Sequence, residues 1–159
     1  MRKQENPAKV FLRQYRAVSG RVESLRRVIA QEMERAQNTA VSVKEIKVLS
    51  SPAEHDPMAA NICRAIDATA LLQAEIDKAS EVLREILLCI SSLTDERQKE
   101  ILTRRYIEGQ DFKTIMDEIH YEKTQLYVLH GRALVCVNQW LKRRADNGNS
   151  DIDVRHNSA

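Results

Sequence analysis

Glycine and proline are scarce in this chain, with 4 Gly and 3 Pro among 159 residues. Both residues interrupt regular structure, so long stretches without either leave helix unopposed, and an all-α fold is expected. Aromatic residues are also few: 2 Phe, 4 Tyr and 1 Trp. Helix cores claim most of them, which leaves no stacking surface for extruded bases and argues against a complete promoter-melting factor. Cys63, Cys89 and Cys136 are odd in number, far apart and without a C-x-x-C pair. That argues against a disulfide framework and a zinc site, and all three are expected as small apolar residues in a reducing cytoplasm. No apolar run approaches membrane-spanning length, and MRKQENPAKV has no apolar h-region. A cytoplasmic protein with no membrane partner is the expectation.

Catalytic sets are missing as well. Spacing suggests no Ser/His/Asp or Cys/His arrangement, no Gly-rich phosphate loop exists, and His55, His120, His130 and His156 show no ligand spacing. Asp95, Glu96 and Glu100 read as N-terminal dipole partners of a helix and as surface charge. Neither enzymatic activity nor a cofactor or metal is expected.

Charge is plentiful but nearly balanced: 30% of residues are charged for a net +2. The basic residues are unevenly placed. Residues 121–144 hold Lys123, Arg132, Lys142, Arg143 and Arg144 against Glu122 alone. The first 35 residues are also basic, led by Arg13, Arg16, Arg21, Arg26 and Arg27, and there a solvated helix face is the simpler reading.

Residues 93–141 hold the most information. LTDERQKEILTRRYIEGQDFKTIMDEIHYEKTQLYVLHGRALVCVNQWL reads as helix, short break, short helix, tight turn, long helix. A DNA-binding helix-turn-helix has that order, because the turn fixes the angle at which the last helix enters a major groove. Ile101, Leu102 and Tyr106 form one apolar face, Phe112, Ile115 and Ile119 a second, and Leu126, Leu129, Leu134 and Val137 a third. Three such faces are expected to close one small core.

KEILTRRYIEGQDFKTIMDEI resembles the start of the promoter-reading fourth region of bacterial sigma-70 family factors. The run Leu129-His130-Gly131-Arg132-Ala133-Leu134 resembles sigma-like phage and prophage proteins of Gram-positive bacteria, and size, layout and FLRQYRAV are similar to phage late-gene activators of the ArpU and RinA kind. The resemblance implies a sigma-region-four-like helix-turn-helix, a transcriptional regulator encoded by phage or prophage, and contact with RNA polymerase. Three positions depart from the pattern. Met116 stands where a small residue lets two helices cross closely, His120 where the turn usually has Gly, and Glu122 where Ser usually caps the last helix.

If the motif reads DNA, its contacts lie on the exposed face of the last helix. Counting back from Ala133-Leu134, these are Lys123, Thr124, Gln125, Tyr127 and Val128, with Leu126 and Leu129 pointing inward. Gln125 suits adenine, Lys123 a guanine or a phosphate, and Val128 a thymine methyl. Arg132, Lys142, Arg143 and Arg144 lie further along and suit phosphates. Partial burial is an equal reading for Tyr127. His130 has a packing or phosphate role, Gly131 permits a close helix contact, and Trp140 plugs a core.

Ahead of this unit, Phe11, Tyr15, Val18, Val22, Leu25 and Ile29 step by alternating fours and threes, the spacing of a helix packed along one seam. The spacing fails from 39 to 57, and SSPAEHDP reads as a loop. A second helix starts near Pro57 and runs through Ile62, Ile66, Thr69, Leu72, Ile76, Leu83, Leu87 and Ile90. The expected organisation is a helical hairpin over 1–92, a helix-turn-helix over 93–144 and a flexible tail, ADNGNSDIDVRHNSA, over 145–159. The hairpin either packs within one chain or forms the dimerisation arm of a homodimer that sets half-site spacing. Sequence-specific binding of double-stranded DNA is the functional reading. A small-terminase-like packaging protein is an alternative, though such proteins usually place the DNA-binding unit first. A helical protein-interaction module that has lost DNA is another.

Overall fold

The computed structural model describes the backbone of residues 5–46 and 57–154, and the side chains of residues 5–38 and 59–147. Among these residues the chain is all-α, with no strand. The order is α1 (Pro7–Ile46), α2 (Pro57–Ser91), α3 (Glu96–Leu102) continuing into a π-helical turn (Thr103–Ile107), α4 (Phe112–Ile119) and α5 (Lys123–Val154). α1 and α2 both open on proline, whose fixed φ suits a first turn and whose missing N–H has no partner to lose there.

Two helices outrun their expected ends. α1 continues through 39–46 although the apolar spacing fails there, because no Gly or Pro lies between Gly20 and Pro52. α5 stays helical through 145–154, where a frayed tail was expected from the Asn, Asp and Gly content. Each such residue costs under about 1 kcal/mol, and without proline the ladder propagates outward from the packed part of the helix. The SSPAEHDP loop, apart from Pro57, and the final residues 155–159 lie outside the described residues.

The chain divides into two compact units, Val18–Glu81 and a second that joins Met1–Ala17 to Val82–Ala159. Within Val18–Glu81 the two helical segments run antiparallel: Arg21 meets Glu75 at 3.4 Å, and Met33 and Ala36 line a groove with Ala65 and Thr69. Val22 and Ile76 are buried at its centre, flanked by half-buried Val18, Leu25, Ile29 and Leu72. The α2 row needs correction at two places. Ile66 and Leu87 are 60% and 45% exposed, and Ala65 and Ile86 take the inward positions. A heptad seam there requires positions 65 and 86, and choosing the apolar neighbour one place further along shifts the phase by one residue.

The second unit has two apolar clusters where one core was expected. Ala8 and Leu12 of α1, Ile86, Cys89 and Ile90 of α2, Leu102, Tyr106, and Ala133, Leu134 and Val137 of α5 form the first. Ile101, Ile115, Leu126 and Leu129 form the second, with Phe112, Met116 and Ile119 packed against it. Adjacent Ile101 and Leu102 point to different clusters, and α5 serves both with one continuous stripe. The π turn follows directly: Glu108 N–H donates to Thr103 O at 3.0 Å, five residues back, and Gln110 N–H to Arg104 O at 2.9 Å. Asn6 and Asn138 clasp the start of α1 to α5. The Ala8 N–H donates to both side-chain oxygens at 3.0 Å, and Asn138 Nδ2 donates to Asn6 Oδ1 at 3.0 Å.

Of the cysteines only Cys89 is buried, and burial pushes its thiol up to about 12. Cys63 and Cys136 are exposed, contrary to expectation, because each sits one residue off its helix's inward row, beside Ile62 and Val137. Gly131 is corrected too. It makes no close helix contact, and a Cβ built there meets nothing within 4 Å. Gly109 has the opposite setting: φ is +79°, and a Cβ would lie 2.5 Å from the Arg16 guanidinium carbon. Gly131→Ala should therefore raise stability by about 0.5–1 kcal/mol, whereas Gly109→Ala should lower it by about 1–2 kcal/mol. Thermal unfolding checks both, with shifts of about 2–4 °C per kcal/mol and opposite sign.

Candidate nucleic-acid interface

Asp111 starts α4 by accepting from the Thr114 N–H at 2.7 Å, and this bond holds the Asp111 carboxyl below its usual range. α4 ends on His120 with φ 55° and ψ 38°, a left-handed position that glycine fills most easily. Histidine adopts it at a cost on the order of 1–2 kcal/mol, and the chain turns through Tyr121 and Glu122 into α5. Glu122 occupies the place before the first helical residue, its carbonyl accepting from the Leu126 N–H at 3.0 Å. Met116 is half-buried against the second cluster, so the bulk that replaces a small residue becomes part of the packing. Leu126 and Leu129 anchor the first turns of α5 in that cluster, as expected.

With those two leucines inward, the opposite side of α5 faces solvent. Lys123, Thr124, Gln125, Tyr127, Val128 and Arg132 are all exposed, as are Lys142, Arg143 and Arg144. Thr124, Val128 and Arg132 are spaced by four and share a face, and Gln125 lies beside them. Tyr127 is not free: it is 47% exposed, with its ring 5.0 Å from that of Phe112. Arg132 and Lys142 are ~15 Å apart at the α-helical rise, so the basic residues form a proximal group and a distal one. Arg144 belongs to neither. It pairs with Glu85 and lies over the Trp140 ring at 5.6 Å, fastening α5 to α2 within their unit. Trp140 is half-buried and tilted on Phe11 at 5.9 Å, the plug it was expected to be.

His130 is a packing residue. Its Nε2 lies 3.2 Å from the Tyr106 hydroxyl, the two rings stack at 6.0 Å, and Phe112 meets it edge-on at 5.0 Å. Burial lowers its pKa to about 4, with Lys9 and Arg105 adding to the effect, so it carries no charge to offer a phosphate at neutral pH. Sequence reasoning missed the arginines of the π turn. Arg105 donates to Gln110 O at 2.8 Å and stands 4.9 Å above the Phe112 ring. Arg104 bridges Glu100, at 3.0 Å, and Glu118, and the hydrogen bond it donates to Glu100 chiefly raises its pKa. Their adjacency in TRRYI carries no such signal, because a regular helix would aim them differently. Among the described residues no cluster suits a metal ion, and no helix is long and apolar enough to cross a membrane.

Comparison with family models, with curated proteins and with solved structures finds no match to this chain.

The His130 setting gives a pH dependence. In the folded protein the imidazole stays neutral down to about 4, against an ordinary value of 6.5 when unfolded. The unfolded chain thus binds a proton first as pH falls. Stability from this source is complete above about 6.5 and is lost progressively toward 4, by about 3 kcal/mol. Urea unfolding between those limits should show this slope in the wild type, and His130→Gln should flatten it.

Proposed function

We propose that the chain binds double-stranded DNA sequence-specifically and regulates transcription, with α4 and α5 acting as a sigma-region-four-like helix-turn-helix. The observation that supports this best is the exposed row on the first turns of α5. Lys123, Thr124, Gln125, Val128 and Arg132 combine two cations, an amide, a hydroxyl and a methyl-bearing side chain on a helix whose other side is locked in a core. Those groups match the donors, acceptors and methyls of a major groove. Lys142 and Arg143 act as phosphate contacts that position the helix, and exposed Lys113 on α4 adds a further cation. Arg144 contributes less, because Glu85 already neutralises it. On resemblance, the regulator is encoded by a phage or prophage and touches RNA polymerase.

A protein-interaction module is the second reading. It is favoured by Val135, 56% exposed on the same side of α5 as Val128 and Gly131. The two readings part in one titration. Fluorescence anisotropy of labelled fragments from the surrounding genome should show tighter binding to one fragment than to random DNA, weakening steeply as salt rises. Gln125→Ala should cost about 1–3 kcal/mol on the preferred fragment and little on random DNA. Lys142→Ala with Arg143→Ala should weaken both alike and lower the salt slope. Equal affinity for all fragments removes the sequence-specific claim, and no binding at low salt favours the interaction module.

A further inference from the structure

Val18–Glu81 is poor in buried apolar surface for its length. Of its described large apolar side chains only Val22 and Ile76 are buried, whereas Val28, Met33, Ile66 and Leu71 stand exposed. Two antiparallel helices cover each other along a single seam and leave their outer sides to solvent. Met33 and Ile66 flank a groove of ≈ 180 Å³ completed by Ala36, Gln37, Ala65 and Thr69. Small residues form part of its floor, so a larger side chain from a neighbour can enter between the two helices.

Size and charge both select the occupant. Residues 18–46 of α1 extend ~43 Å at the α-helical rise, and two helices side by side present a face ~20 Å wide. That face is on the order of 800 Å², the area a stable interface buries on each partner. Over residues 18–46 of α1, Arg21, Arg26, Arg27, Arg35 and Lys44 stand against Glu23, Glu32, Glu34 and Glu45, while over residues 57–81 of α2, Asp67, Glu75, Asp77 and Glu81 outnumber Arg64 and Lys78. A two-fold axis that sets α1 of one copy against α2 of the other faces a segment of slight positive charge with one of net negative charge and encloses the apolar groove. We propose that a second copy of this chain docks on the Met33–Ile66 groove, closing an antiparallel four-helix bundle from two hairpins. This inference does not depend on DNA binding.

Sedimentation velocity of the full chain tests it. The wild type should sediment in the micromolar range at twice the 18.2 kDa of one chain. Met33→Glu with Ile66→Glu changes side chains already exposed in one copy, so helicity by circular dichroism should persist while dimerisation weakens at least about a hundredfold. Met33→Gln with Ile66→Gln should give a smaller weakening of the same sign, and it replaces the charged pair if that pair loses helicity. A monomeric wild type overturns the proposal and leaves the groove to another partner. A dimer indifferent to both double variants overturns it as well, because the interface then lies elsewhere.

Discussion

One stripe of side chains on α5 holds the second unit together. Leu126 and Leu129 belong to one cluster, Ala133, Leu134 and Val137 to the other, and His130 sits between them with its ring against Tyr106 and Phe112. Each fully buried aliphatic residue contributes about 1.5–3 kcal/mol, so this helix carries a large share of the apolar burial. It also fixes what faces outward. Because residues 126 and 129 must point inward, residues 124, 125, 128 and 132 must point out. The proposed reading surface is thus a direct consequence of the core.

The polar interactions refine this frame. The Asn6–Asn138 clasp supplies the first turn of α1 with acceptors, and the Asp95 and Asp111 carboxylates do the same for α3 and α4. The π turn leaves Leu102 and Tyr106 in one cluster while Arg104 reaches Glu118 and Arg105 reaches the loop before α4. Exposed ion pairs of this kind contribute under about 1 kcal/mol each, so their main effect is on where α4 is placed. Placement matters for the proposed function, because a groove-reading helix works only at a defined angle to the helix before it.

Much of the helical order was legible in the sequence, and the failures share physical causes. Few breakers and clear apolar spacing revealed α2 from Pro57, α4 and the start of α5. Helix ends were less legible: residues 39–46 and 145–154 lack apolar periodicity, yet nothing stops propagation into them. Ile66 and Leu87 were misplaced because two adjacent apolar residues leave the phase open at each place, and Ala65 and Ile86 hold the seam. At the candidate interface, Leu126 and Leu129 sort the exposed residues of α5 correctly from sequence. Arg144 was invisible as a structural residue because its partner, Glu85, is far away along the chain. Gly131 invited a packing explanation that an open Cβ position removes.

The claim that the outer side of α5 reads DNA is tested most directly by mapping amide chemical-shift changes while the preferred fragment is titrated into isotope-labelled protein. The account predicts the largest changes at residues 123–132, weaker ones at Lys142 and Arg143, and little at buried Leu134 and Val137. Changes confined to α1 and α2, with residues 123–132 unmoved, would contradict it.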